Sequence, residues 1–202
     1  MPLLVTDPRD QQRLIAERQA SGADRFDEVW EGTYVMAPLA DDEHQELQAR
    51  LVHYFQIAAP DAKVRAGVNV SDRAEDWTGN YRCPDVAVFL PGTKAKNHDT
   101  FWLGGPDLAV EIVSPHDRTR DKFAFYSTVG VRELLVIDRE PWTIELHHPR
   151  GGQLVRTGRI APGDSAVVES TLLPLSFQFI QTAATRPRIE VVHGTTGQRW
   201  SL

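Results

Sequence analysis

Pro84-Asp85-Val86-Ala87-Val88-Phe89-Leu90 and Asp107-Leu108-Ala109-Val110-Glu111-Ile112-Val113 are the two runs whose reading decides the fold. Both are short, rich in Val and Ile, and bounded by Pro or Gly, so they read as buried strands. Each carries one carboxylate that does not belong in an apolar core. An antiparallel pairing with Ala87 opposite Glu111 sets Asp85 opposite Val113. Asp85 and Glu111 then share a face, one diagonal step apart.

Buried carboxylates are costly unless paired, protonated or bound to a cation. Taken singly, Asp85 reads as a turn cap after Pro84 and Glu111 as the partner of an arginine. Taken together, with Lys122 on the element that follows, they suit a hard divalent ion such as magnesium. That ion is held by one or two carboxylates and keeps waters that a phosphate can displace.

Outward from this centre, the chain of 202 residues has 41% apolar and 25% charged residues, ordinary values for a globular domain with a sizeable core. No stretch reaches the length of a membrane span, and the first residues lack the basic and apolar regions of a signal peptide, so a cytoplasmic location is expected. The single cysteine, Cys83, has no internal disulfide partner and reads as a packed small residue rather than a nucleophile. A net charge of -6 argues against attraction of nucleic acid over the whole surface. The local concentration of positive charge is Arg118, Arg120 and Lys122, next to the proposed ion site.

Asp7-Pro8 opens a helix over Arg9 to Ala20 that ends near Gly22. Phe26–Trp30 and Thr33–Ala37 flank Glu31-Gly32 as a hairpin closed by Pro38. Leu47, Leu51, Phe55 and Ala58 recur at helical spacing from Asp42 to Ala59, with His44 on the buried face of the first turn. His44 reads either as a satisfied core histidine or as a contact near the ion. Lys63 to Val70 alternates as a half-buried strand with Val64, Ala66, Val68 and Val70 on one face. Thr93–Gly105 is a long loop in which Trp102 plugs the core or offers a stacking platform.

A helix is expected from about Arg118 to Thr128, with Lys122 and Tyr126 one turn apart. Gly130 ends it, and a buried strand runs from Arg132 to Asp138. His147 and His148 are neighbours in a strand, so they point to opposite faces and do not share an ion. Strand-like pieces follow at Gln153–Arg159, Ala166–Glu169 and Leu172–Ile180, and residues 186–202 suggest no function by themselves. The expected organisation is an N-terminal helical segment over 1–24, a domain over 25–180 and a C-terminal extension over 181–202.

This order resembles the restriction endonuclease-like, PD-(D/E)XK nucleases, and more closely the Uma-two family of endonucleases. The resembling residues are Trp30-Glu31-Gly32, His44, Arg82-Cys83-Pro84-Asp85, Asp107 through Pro115, Lys122 with Tyr126, and Gly130 through Asp138. The resemblance implies an α/β (α+β) fold with a central mixed sheet flanked by helices. It also implies metal-dependent hydrolysis of phosphodiester bonds, with Asp85 and Glu111 as ligands of Mg2+ or Mn2+ and Lys122 as the catalytic lysine. In the wider superfamily that lysine lies two residues after the glutamate, a position held here by Val113. Glu31, His44, Ser114, Arg120 and Tyr126 are candidates for the outer site or for substrate contacts. Nucleic acid, with DNA the expected form, is the implied partner, and a homodimer is one arrangement the resemblance suggests. A catalytically inactive binding module of the same fold is the alternative, and an unrelated hydrolase of small phosphoesters is a third reading.

Overall fold

The computed structural model describes residues 7–37, 39–114, 118–180 and 186–202. Pro38, expected to close the hairpin, and Pro115, the end of the resembling run, lie outside them. The first helix, α1 (Pro8–Ser21), is capped by the Asp7 carboxylate, which accepts from Arg9 N–H at 2.8 Å, and ends at Gly22 with φ 70. The hairpin of β1 (Glu28–Trp30) and β2 (Thr33–Val35) follows, then α2 (Asp42–Ala58). Next come β3 (Lys63–Ala66), β4 (Val70–Ser71), a 3-10 turn over Trp77–Gly79, β5 (Tyr81–Arg82) and β6 (Val86–Phe89).

The long loop after β6 holds two short strands, β7 (Lys96–Asn97) and β8 (Trp102–Leu103). They are followed by β9 (Leu108–Ile112), a 3-10 turn over Thr119–Lys122 and α3 (Phe123–Thr128). Then come β10 (Glu133–Arg139), β11 (Trp142–Arg150) and β12 (Gln153–Ile160). The chain ends with β13 (Val168–Glu169), β14 (Leu175–Ile180), β15 (Arg188–His193) and β16 (Arg199–Ser201).

The main sheet has the order β12-β11-β10-β9-β6-β3, and within it β9 and β10 run parallel while the other neighbours are antiparallel. One face carries Val86, Val88, Val110, Ile112, Leu135 and Ile137 against Leu47, Leu51 and Phe55 of α2 and against Phe177, Ile189 and Val191 of the β13-β14-β15-β16 sheet. The opposite face carries Ala109, Leu134 and Val136 against Phe125 and Tyr126 of α3, and Ala87 and Phe89 against Trp102 of a small sheet ordered β2-β1-β5-β4-β8-β7. Asp85, Glu111 and Glu145 alternate with the first set of residues, so they belong to the α3 face.

Several sequence expectations need correcting. The strand expected over Lys63 to Val70 breaks at Gly67, where φ is 55 and a Cβ would lie 2.3 Å from the Phe26 ring. The chain leaves the main sheet there, so Val64 is buried while Ala66 is exposed. The Tyr81–Leu90 run is likewise shared between two sheets, broken around Pro84, which lacks the N–H a ladder needs. The helix expected from Arg118 begins as the 3-10 turn. Trp102 is a core plug, stacked on Phe89 at 3.6 Å between ring centroids. His147 and His148 do point apart, to Glu145 and to Glu133.

Candidate active site

The pairing of β6 with β9 sets Val86 against Val110 and Ala87 against Ala109. One further step along that register places Asp85 directly opposite Glu111. The sequence-derived pairing was displaced by two residues, which preserves the face and turns a diagonal neighbour into a facing one.

Asp85 is fixed on both oxygens. Oδ2 accepts from the Ile112 backbone N–H at 2.6 Å, and Oδ1 lies 3.2 Å from His44 Nε2 on α2. Its own carbonyl accepts from Gln48 Nε2 at 2.9 Å. For the His44 imidazole, burial alone would lower the proton affinity, but the hydrogen bond and charge of Asp85 outweigh it and raise the pKa.

Glu111 accepts from the Tyr126 hydroxyl and from Lys122 Nζ, at 3.2 Å to Oε1 and 3.0 Å to Oε2. The spacing of Lys122 and Tyr126 thus delivers two donors to one buried carboxylate. Burial pushes the Glu111 carboxyl up to about 8; Lys122 opposes this, and the nearby charges of Asp85 and Glu28 add to it. Burial works against the Lys122 ammonium, yet Glu111, Glu28 and Asp85 hold its pKa well above the ordinary lysine value. Glu111 therefore has a lysine and a tyrosine as partners rather than an arginine.

Glu28, on β1, completes the cluster, and sequence reasoning missed it. Its Oε1 lies 2.9 Å from Lys122 Nζ and accepts from Cys83 N–H at 2.8 Å, while Oε2 accepts from Trp30 Nε1 at 2.5 Å. The available signal was the alternation of Glu28 with Trp30 on one strand face. The neighbouring candidate Glu31 sits at the hairpin turn with φ 46, where Asn80 Nδ2 and Arg73 hold it at 2.6 and 3.2 Å. Behind Glu28, the Arg82 guanidinium lies over the Trp30 and Phe125 rings. Cys83 is buried and its thiol pKa is pushed up by burial, which suits a packed residue.

Of the remaining candidates, Ser114 follows the end of β9 and is partly buried. Arg120 is turned from Glu111 to Glu145, which it meets at 2.5 Å. Arg118 lies over the Trp30 ring at 4.4 Å and pairs with Asp121. Among the described residues, no group of three or more His, Cys, Asp or Glu side chains is placed to hold a metal ion. No helix among them is long and apolar enough to cross a membrane.

None of the curated proteins compared with the chain matches it. Among solved structures, the chain is similar to a "putative nuclease belonging to DUF820" from Anabaena variabilis ATCC 29413. The identity is 17% and the TM-score 0.58, over 72% of this chain and 82% of that one. At that identity the likeness shows the fold, a restriction endonuclease-like α+β architecture. The profile of the Uma2 family, described as "Putative restriction endonuclease", matches residues 16–186, a span that contains Glu28, His44, Asp85, Glu111, Lys122 and Tyr126. The chain belongs to the Uma2 family.

Proposed function

We propose that the chain is a divalent-metal-dependent endonuclease that hydrolyses phosphodiester bonds of DNA, acting in the cytoplasm as a homodimer. The observation that carries the reading is the facing pair Asp85 and Glu111, joined on the same sheet face by a lysine held 3.0 Å from Glu111. Restriction endonuclease-like families generally use divalent metals, and this donor set fits one. Lys122 pairs with Glu28 and Glu111, and the charge of Asp85 acts on it as well. Burial and these acidic neighbours press Glu111 toward its protonated form, and a hard cation would take the place of that proton. Magnesium asks for one or two carboxylates plus waters, not a closed cage.

Asp85 and Glu111 would hold the ion. When bound, Mg2+ or Mn2+ polarises a phosphoryl oxygen and lowers the pKa of water. The chain's own groups do the rest. Ile112 N–H and His44 keep Asp85 in one orientation, and Tyr126 does the same for Glu111. Lys122 keeps its proton and presents a compact positive charge beside the phosphate, where negative charge develops as the water oxygen bonds to phosphorus and the ester bond breaks. Glu28 positions that ammonium, and Trp30 Nε1–H and Cys83 N–H position Glu28.

The test is incubation of the purified protein with Mn2+ and mixed linear DNA and RNA, beside Asp85→Asn and Glu111→Gln. Metal-dependent products from the wild type and none from either variant are expected; equal cleavage by the variants sinks the assignment. Light scattering tests the dimer, and a monomeric mass overturns it.

One observation favours the catalytically inactive module instead. Lys122 Nζ already bridges Glu28 and Glu111, so the cluster is partly neutralised from within. Oligonucleotide binding with no products under any divalent metal would select that reading.

A further inference from the structure

Two strands away from the carboxylate pair, three arginines gather on one shielded carboxylate. Glu145 has only 8% of its side chain exposed. Its Oε2 accepts from Arg120 Nη1 at 2.5 Å, its Oε1 accepts from Arg156 Nη1 at 3.0 Å, and Arg159 Nε stands 4.0 Å from Oε1. His147 Nε2 lies 3.1 Å from the same group, and Asp138 faces Arg120 at 4.0 Å. Burial disfavours a charged His147, so the cluster holds three guanidinium groups against two carboxylates. The arginine side chains are 45%, 54% and 43% exposed. Each therefore keeps N–H donors at the surface beyond those it spends on Glu145.

The backbone departs from regular pairing to assemble this group. Arg156 and Arg159 are three residues apart, so in an unbroken strand they would project from opposite faces. Between the pairs Leu146↔Gly158 and His147↔Arg156, β12 carries an extra residue, a bulge at Thr157. The consequence is visible in the core: Leu154 and Ile160 share parity in sequence yet pack on opposite faces. The bulge thus turns both arginines to the α3 face, the kind of re-aiming for which bulges occur beside functional sites.

That face is the one bearing the carboxylate centre. Glu111 pairs across the sheet with Val136, Val136 with Glu145, and Glu145 with Arg159. All four therefore lie in one row continuous with Asp85, with Glu145 two strands, or about 10 Å, from Glu111. The 3-10 turn over Thr119–Lys122 spans the gap, with Lys122 on Glu111 and Arg120 on Glu145. One buried carboxylate needs one arginine. Three, with a bulge to bring them, leave a positive surplus on a chain of net charge -6.

We infer that Arg120, Arg156 and Arg159, pre-oriented by Glu145, form a phosphate-binding subsite that seats the nucleic-acid backbone beside the reacting phosphate. The planar guanidinium matches a phosphate through paired donors. A shared carboxylate that already restrains three long side chains reduces what binding must order. The subsite rests on the nuclease reading of Asp85 and Glu111, and it adds the direction in which the strand runs: across the sheet from β9 toward β12.

The test is fluorescence anisotropy of a labelled single-stranded DNA, and of the matching RNA, with the whole chain in EDTA across a KCl series. For Arg156→Gln/Arg159→Gln, two lost phosphate contacts should flatten the slope of log K against log salt by about 1.4. Adding Glu145→Gln removes the carboxylate those arginines shield, and this triple variant should show the same flattening while remaining folded. A double variant at surface arginines elsewhere, Arg13→Ala/Arg199→Ala, should keep the wild-type slope. Equal slopes in wild type and both glutamine variants, or an equal flattening in the Arg13/Arg199 control, would overturn the subsite. Metal-dependent hydrolysis of a small phosphodiester by the wild type, run in parallel, reports on the carboxylate centre alone. Failure of the nuclease reading would therefore appear there and not in the slopes.

Discussion

Lys122→Met should unfold the site from within. Its Nζ lies 2.9 Å from Glu28 and 3.0 and 3.2 Å from the two oxygens of Glu111, and the three side chains are 14%, 6% and 3% exposed. Methionine preserves most of the stem's packing and deletes the charge, leaving two buried carboxylates near each other and near Asp85. Breaking a buried ion pair from one side costs about 3–5 kcal/mol. At roughly 2–4 °C per kcal/mol for a domain of this size, the melting temperature should fall by about 6–20 °C. Urea unfolding at neutral pH in EDTA measures the loss. Lys122→Met/Glu28→Gln should then recover part of it, with a coupling energy of about 0.5–3 kcal/mol. A single-variant loss below about 1 kcal/mol, or strict additivity in the double variant, would refute the claim that Lys122 neutralises this cluster.

Two further outcomes follow from the geometry. Trp102→Ala should cost about 3–5 kcal/mol in urea unfolding, because a buried ring stacked on Phe89 is removed; a loss below 1 kcal/mol would mean that the small sheet is not anchored there. Glu145 tests the sign of a pH dependence. Burial would raise its pKa, but the hydrogen bonds of Arg120 and His147 and the charge of Arg120 lower it overall. A carboxyl whose folded pKa is depressed adds stability above its unfolded pKa, near 4.3, and loses it as pH falls through the folded value. The stability gap between wild type and Glu145→Gln should therefore be full at pH 6 and shrink as the pH falls below the unfolded value. A gap that widens on acidification would contradict the assignment.

The centre of the site was legible in the sequence because its carboxylates interrupt apolar runs, and because Lys122 and Tyr126 are one helical turn apart. Both donors do reach Glu111. The register of β6 against β9 came out displaced by two residues because the connection between them hides β7 and β8, so its length says little about the turn. Glu28 was out of reach for a different reason. It lies on a three-residue strand whose meeting with Lys122 depends on β1 pairing with β5, a contact between residues far apart in the chain. Alternation likewise cannot reveal the Thr157 bulge, since it presumes unbroken parity and would set Arg156 and Arg159 on opposite faces.

Calorimetric titration of Mn2+ into the wild type, Asp85→Asn and Glu111→Gln tests the central claim most directly, because it reads the carboxylate pair without requiring the right substrate. Saturable binding by the wild type and its loss in both variants is the predicted result. The same isotherm in all three proteins, or none in the wild type, would mean that Asp85 and Glu111 face each other for structural reasons and that the catalytic account is wrong.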